Sequence, residues 1–176
     1  MTLTASSEAP AFPLTGDFLA GRLRQNLSLD DLKYIEGLVD TVAEYGDTAR
    51  LLARGTKTDR STILIEGYIF RTIESAGKRF ITGIHVPGDF VDLHGFALKR
   101  LDHNIDAAGR VTVGSVSHDT LRRVMRDRPG VARAMWFATL LDAAIHRKWI
   151  QMLEQLDAPR RIAHLYAELH TRLELV

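Results

Sequence analysis

Histidines and carboxylates are the side chains of this sequence that are best suited to chemistry. The chain has seven histidines and no cysteine, which excludes disulfides, thiolate catalysis, zinc–cysteine sites and cysteine-bound iron–sulfur clusters. It contains no His-x-His pair, no His-Glu-x-x-His, no P-loop and no Gly-x-Ser-x-Gly. Asp89 and Asp92 lie near His94, but an aspartate that follows glycine typically caps its own turn. We therefore predict that the protein is not an enzyme and holds no metal.

The composition is that of a folded protein. Hydrophobic residues make up 45% of the chain, and no run approaches the length of a membrane span. The N-terminal residues are polar and lack the basic start of a signal peptide. The formal net charge is only +1, which argues against a nucleic-acid-binding surface. We expect a cytoplasmic protein that does not contact a membrane.

A period of two in the hydrophobic pattern predicts strands between residues 41 and 116. Residues 60–73 and 80–86 alternate, and a Ser-Ala-Gly-Lys turn joins them. Residues 105–116 should add short strands, broken at Gly109 and Gly114. Several short strands with glycine and proline between them are typical of a small antiparallel roll.

Helical patterns flank this region on both sides. A short helix is expected around residues 18–23, and Ser28 is the N-cap of another. Ser117 caps a short helix, Pro129 ends it, and residues 131–156 form a long one. At 1.5 Å per residue this last helix is about 39 Å long, which overreaches a small roll.

The long helix carries two adjacent stripes, and one of them needs a partner from outside the roll. The simplest partner is the same helix of a second copy, which predicts a homodimer. Asp142 either sets the register of this interface or lies at its edge. The predicted interface is Met135, Ala138, Asp142, Ile145, Trp149, Met152 and Leu156. The other stripe is Ala134, Phe137, Leu141, Ala144 and Lys148.

A hinge should follow the long helix, because proline cannot continue it. We predict the hinge at Asp157, Ala158 and Pro159. Residues 160–175 then start a new helix whose apolar face has no evident partner in the sequence, which is what remains when a following domain is missing. That face consists of Ile162, Leu165, Tyr166, Leu169 and Leu173.

Six segments together resemble the Crp/Fnr family of bacterial transcription regulators, over roughly residues 28–175. They match the start of the family's roll, its glycine-then-strand signature, its hairpin, its Pro-Gly-Asp-Phe turn, its dimer helix and its post-hinge helix. The segments are residues 51–55 (LLARG), 63–71 (ILIEGYIFR), 77–83 (GKRFITG), 86–90 (VPGDF), 142–149 (DAAIHRKW) and 161–165 (RIAHL).

The resemblance implies an α+β fold: an antiparallel β-roll (a double-stranded jelly roll like the cyclic-nucleotide-binding domain), flanking N-terminal helices and a long C-terminal dimerisation helix. It divides the chain into an N-terminal arm with a short helix (1–27), a sensor roll (28–130), the dimerisation helix (131–156), and a hinge with the first helix of a DNA-binding domain (157–176). Operator DNA would be read only through a C-terminal domain that this chain lacks. The alternative is a stand-alone sensing module for a cyclic nucleotide or haem, without DNA binding.

The resemblance also places the effector site. Cyclic-nucleotide binders of the family use a Gly-Glu-Leu turn and an Arg-Ser pair, and these positions fall here on Asp92-Leu93-His94 and on Asp102-His103. An aspartate in place of the arginine repels a phosphate, so we predict that cyclic AMP is not the effector. No cofactor is predicted, although haem bound by a histidine and a cyclic nucleotide stay open as alternatives.

The candidate effector pocket adds two residues of the long helix, His146 and Arg147, which fall where the family's dimer helix faces the pocket. They either sense the occupancy of the pocket or are exposed, with Arg147 paired to Asp142 or Glu154. The full candidate set is Asp92, Leu93, His94, Asp102, His103, Asn104, His146 and Arg147.

Overall fold

Five strands and five α-helices form the part of the chain that the computed structural model describes, residues 11–174. Residues 1–10 of the predicted arm and the C-terminal end of the predicted helix 160–175 lie outside the described residues. In chain order the elements are a 3-10 helix (Arg24–Asn26), α1 (Leu29–Glu36), β1 (Thr41–Tyr45), β2 (Arg50–Leu52), β3 (Arg60–Ser75), β4 (Lys78–His85), α2 (Gly95–Leu98), β5 (Asn104–Ser117), α3 (His118–Asp127), α4 (Pro129–Gln155) and α5 (Ala158–Leu173).

The strands form one antiparallel sheet in the order β1-β5-β3-β4, and β2 also pairs with β5. The two long strands, β3 and β5, are the centre of the sheet, and their residues line the core of the roll. This arrangement, with helices before and after it, confirms the predicted α+β fold. Within residues 11–174, none of the helices combines the length and the apolarity that crossing a bilayer requires.

One continuous strand, β5, replaces the predicted short strands, so the prediction of breaks at Gly109 and Gly114 is wrong. Gly109 has φ +91° and lies where the register between β3 and β5 shifts, so it accommodates a bulge rather than an end. Gly114 instead allows close packing, since a Cβ there would lie 2.8 Å from Cγ1 of Val39. Gly109 is therefore required by its backbone angle, and Gly114 by close packing.

The N-terminal segment packs against the roll as a series of turns. The predicted helix at 18–23 is wrong, because Leu19 and Gly21 adopt left-handed conformations with φ +57° and +64°. Phe18 is completely buried in the core between the helices and the sheet. The carboxylate of Glu36 accepts hydrogen bonds from the backbone N–H groups of residues 14 and 15, both at 2.9 Å. Residues 11–23 are thus part of the folded domain.

The helices predicted to begin at Ser28, at Ser117 and after Pro129 are confirmed. The hydroxyl oxygens of Ser28 and Ser117 accept from the backbone N–H three residues later, both at 3.1 Å, and cap α1 and α3. α4 is one helix of 27 residues with Pro129 in its first turn. It is therefore about 40 Å long.

The helix α5 turns back toward the roll. The break lies at Leu156 and Asp157, which are extended, whereas Ala158 and Pro159 already belong to the first turn of α5. Part of the predicted apolar face is covered, because Leu165 and Leu169 are half-buried. Ile162 and Tyr166 remain exposed by 56% and 72%.

A buried carboxyl group holds the turn after β4 against the sheet. Asp92 is fully buried, and its Oδ1 accepts from the backbone N–H of Thr62 at 2.6 Å. Burial raises the pKa of Asp92 to about 7. The hydrogen bond fixes the register of residues 90–93 against β3, and it explains why a charged residue is kept in this place.

We expect Asp92→Ala to destabilise the fold by about 1–3 kcal/mol, because it leaves the buried N–H of Thr62 without an acceptor. Asp92→Asn is the matched control, since its amide oxygen can still accept and no charge is buried; its stability should stay close to that of the wild type. Urea denaturation followed by circular dichroism measures both. Equal losses in the two variants would contradict this role for the hydrogen bond.

Candidate functional site

A buried arginine lies between the roll and the long helix. Arg71 is on the inner side of β3 and is only 6% exposed. Its Nη1 donates to Oδ2 of Asp142 at 3.0 Å and lies 3.1 Å from Nε2 of His146, both on α4. Its Nη2 donates to the backbone oxygen of Val91 at 3.3 Å. One side chain therefore connects β3, the turn after β4 and the long helix.

The sheet leaves room for this connection. Gly83 of β4 is paired with Arg71 across the strands, and a Cβ at Gly83 would lie 3.4 Å from both Cβ of Arg71 and Nε2 of His146. The bare glycine lets the imidazole of His146 reach the backbone oxygen of Thr82 at 2.9 Å. The ring of His146 is thus held between the strand and the guanidinium.

Three further histidines surround the arginine. Burial is the largest cause that lowers the pKa of His85, His94 and His103, and the positive charge of Arg71 lowers it further. For His103 the pKa falls to about 4. All three imidazoles are therefore neutral at physiological pH. The rings of His94 and His103 lie side by side, with centroids 5.0 Å apart.

Several polar atoms of this cluster are buried without a hydrogen-bond partner in the described part of the chain. They are Nε of Arg71 and Nε2 of His85, His94 and His103. Each such atom costs about 1–3 kcal/mol, so native proteins keep few of them and usually for a reason. Their concentration around one guanidinium marks this region as the candidate functional site.

The cavity beside the cluster is small. It has a volume of about 40 Å³ and lies between residues 17–22, the turn at 85–90, α4 and α5. This volume holds two or three water molecules, whereas ligand pockets for drug-sized molecules measure about 300–1,000 Å³. None of the eight candidate effector residues lines this cavity, which is therefore separate from the predicted effector pocket.

The structure brings together only part of the predicted effector pocket. His94, His103 and His146 surround Arg71, as described above. Asp92 and Leu93 are instead buried in the fold. Asp102 stays beside His103, with an exposed side chain. Asn104 instead accepts from the backbone N–H of Arg54 at 2.7 Å, and Arg147 is exposed.

The sequence analysis did not single out Arg71 as a site residue. The available signal was an arginine on a strand two residues after Ile69, which is fully buried, so that both side chains point to the same side. The partners of Arg71 are 71 and 75 residues away in the sequence, and no local pattern could reveal them.

Within the predicted dimer interface, several residues face their own chain. Met135 and Met152 are only 1% and 8% exposed, and Asp142 is paired with Arg71. The prediction is therefore wrong at Met135 and Met152, which their own chain buries, whereas Asp142, with a side chain 32% exposed, stays a predicted edge position. Ala138, Ile145, Trp149 and Leu156 are half-buried in the same chain. The large apolar side chains that α4 exposes are Trp136, Phe137, Leu140, Ile150 and Leu153.

A second arginine attaches α5 to the same end of the roll. Arg172 is 7% exposed, donates to the backbone oxygen of Ile84 at 2.9 Å and pairs with Asp89 of the Pro-Gly-Asp turn. Although burial opposes it, contacts with His85 and Arg172 hold the pKa of Asp89 below its ordinary value. On the outer side, Nε1 of Trp149 donates to Glu168 at 2.7 Å.

Solved structures with a similar fold include regulators of bacterial gene expression. No family model matches the sequence, and a search of curated proteins finds no match. The c-di-GMP-responsive global regulator CLP of Xanthomonas campestris is 14% identical, with a TM-score of 0.67 over 81% of this chain and 72% of that one. FixK2 of Bradyrhizobium japonicum is 19% identical, with a TM-score of 0.68 over 75% and 66%.

A third similar structure is a cyclic nucleotide-binding domain from Methylobacillus flagellatus. It is 13% identical, with a TM-score of 0.62 over 75% of this chain and 76% of that one. Identities this low establish the fold and leave function to be argued from the site. The chain has the fold of the cyclic-nucleotide-binding domains, which confirms the fold that its resemblance to Crp/Fnr regulators predicts.

Proposed function

We propose that this chain is the effector-sensing and dimerisation part of a Crp/Fnr-type transcription regulator that acts in the cytoplasm, catalyses no reaction and does not respond to cyclic AMP. The observation that carries the proposal is the contact from Arg71 to Asp142 and His146, which links the inside of the roll to the long helix. DNA recognition belongs, in this proposal, to a C-terminal domain that follows the hinge.

The contact between Arg71 and α4 gives a ligand inside the roll a way to change the position of the long helix. A ligand that interacts with Arg71 or the neighbouring histidines competes with the side chains of α4 for the same guanidinium. If it prefers the arrangement in which that contact is broken, it shifts the population toward a different position of the helix. The unpartnered nitrogens of the cluster are where such a ligand would gain new hydrogen bonds.

The exposed side of α4 supports the dimer. Residues 136, 140, 143, 147 and 150 follow the alternating spacing of a coiled-coil seam, and Trp136, Leu140 and Ile150 are 66%, 51% and 62% exposed. Apart from Arg147 the stripe is apolar, and exposed apolar side chains at this spacing on a surface helix indicate a protein partner. We therefore place the interface of the proposed homodimer on this stripe, next to the one that the sequence suggested.

Leu140→Glu and Ile150→Glu should convert a dimer into a monomer of 19.7 kDa, because each variant buries an unpaired charge in the apolar seam. Light scattering after size exclusion measures the mass. Leu98→Glu is the control, since Leu98 of α2 is 62% exposed but lies outside α4. A dimer that persists in both α4 variants would reject this interface.

Asp142→Ala should destabilise the chain by about 2–3 kcal/mol. The loss leaves the buried guanidinium of Arg71 without its carboxylate, and the figure is below that of a fully buried pair because the Asp142 side chain is 32% exposed. Asp127→Ala removes an exposed partner of Arg126 and should leave stability close to that of the wild type, because solvent screens such a pair. Chemical denaturation measures the free energy of unfolding of both variants. Equal losses in the two would count against the contact between Arg71 and Asp142.

Cyclic AMP at millimolar concentration should leave the melting temperature unchanged, because a ligand that binds the native state must raise it. Differential scanning fluorimetry gives the readout, and 5′-AMP at the same concentration is the control for nonspecific effects. A saturable rise with cyclic AMP alone would show that the pocket opens for it and would reverse our assignment.

A further inference from the structure

Two histidines and an aspartate converge at the start of β5, away from the dimer seam. His94, Asp102 and His103 each offer one ligand atom, and these atoms all lie within 4.8 Å of one another. His103 is 4% exposed, whereas the side chain of Asp102 is 74% exposed. The cluster therefore has a buried side made of imidazole and an open side made of carboxylate. We propose that these three residues bind a first-row divalent cation of the Zn²⁺ type.

Both ends of the cluster are anchored by the backbone. His94 immediately precedes α2, where the N–H of Gly95 donates to the backbone oxygen of Asp92 at 2.8 Å. Asp102 and His103 follow Leu101, which is 2% exposed and whose backbone oxygen accepts from the N–H of Gly55 at 2.7 Å. A cation at this point would join two segments that are already fixed, at a small cost in conformational entropy.

The shortest contact in the cluster is between two of the proposed ligands. Oδ1 of Asp102 lies 2.6 Å from Nδ1 of His103, which therefore donates a proton to the carboxylate. The cation takes the place of this proton: the Nδ1–H bond breaks and its proton leaves to solvent, while Nε2 of the same ring takes up a proton from solvent, so the imidazole stays neutral and both Nδ1 and the carboxylate oxygen donate lone pairs to the metal. Nε2 of His94, which is buried without a partner among the described residues, is available as a third ligand atom.

The distances are compatible with a tetrahedral site after small side-chain rotations. With metal–ligand bonds of about 2.0–2.1 Å, the ligand atoms of a tetrahedral site stand about 3.4 Å apart. The 2.6 Å contact must open, and since all separations lie within 4.8 Å, none has to close by more than about 1.4 Å.

The ligand types identify the class of cation. Two imidazole nitrogens and one carboxylate oxygen suit Zn²⁺ and its first-row neighbours, whereas Ca²⁺ and Mg²⁺ prefer sets of oxygens. Three protein ligands leave the fourth position to water, and the exposed carboxylate places that position toward solvent. Two of the ligands, His94 and His103, also belong to the cluster around Arg71, but binding of the cation requires neither the proposed dimer nor DNA.

Titration of the 176-residue chain with Zn²⁺ after dialysis against EDTA tests the proposal. We expect one Zn²⁺ per chain by calorimetry and a rise of about 5 °C in melting temperature at saturating metal. Co²⁺ should bind in the same place and show the visible absorption of a tetrahedral complex. Absence of saturable binding by the wild-type chain would overturn the proposal.

Two substitutions locate the metal. Asp102→Asn and His94→Gln change side chains that are not fully buried, and each should weaken Zn²⁺ binding at least tenfold while circular dichroism stays that of the wild type. His170→Ala is the control, because it removes an exposed histidine whose Nε2 lies 3.0 Å from Glu174, and it should leave the affinity unchanged. Wild-type affinity in both cluster variants would place the metal elsewhere and refute the site.

Discussion

The burial of the Arg71 guanidinium is the constraint on which the rest of the site depends. A charge inside a protein must be paired and hydrogen-bonded, or its loss of hydration is not offset. Here the carboxylate comes from α4, the imidazole from the same helix, and a backbone oxygen from the turn after β4. The long helix therefore cannot leave the roll without exposing or abandoning this charge. The position of α4 and the state of the pocket are thus joined by one side chain.

The same charge decides how the surrounding histidines behave. Burial disfavours the charged form of the imidazoles, and the positive charge of Arg71 disfavours it further, so these rings stay neutral and keep a nitrogen free to accept a hydrogen bond. Asp142 offsets the charge on one side of the cluster only. The result is a polar region with donors and acceptors but little water, which is a favourable environment for recognising a small ligand.

Local sequence patterns predicted the elements well where their cause is local. Alternation along β3, the glycine turn before β4 and the serine caps of α1 and α3 all follow from interactions within a few residues. The errors have tertiary causes. Gly109 was read as the end of a strand, although it lies in a bulge opposite β3. The turns at Leu19 and Gly21 require left-handed backbone angles that no helical pattern reveals.

In the candidate site, too, the residues that local segments place were predicted, and those that depend on tertiary contacts were missed. The resemblance placed His94, His103 and His146 near one another, whereas Arg71 depends on pairings across the sheet and with α4 that no single segment contains. The choice between the two stripes of α4 likewise depends on which side the roll covers. Asp142 looked like an interruption of a dimer seam and is instead the partner of a charge on the roll.

Arg71 and Arg172 share a neighbour, His85, which links the contacts of α4 electrostatically to those of α5. His85 at the end of β4 lies 3.4 Å from the Asp89 carboxylate that pairs with Arg172, and its pKa also responds to the charge of Arg71. A shift of α4 that moves Arg71 therefore changes the electrostatic surroundings of His85 and, through it, the contact that holds α5. Both helices also contact the end of β4: His146 of α4 lies against the backbone oxygen of Thr82, and Arg172 of α5 donates to that of Ile84.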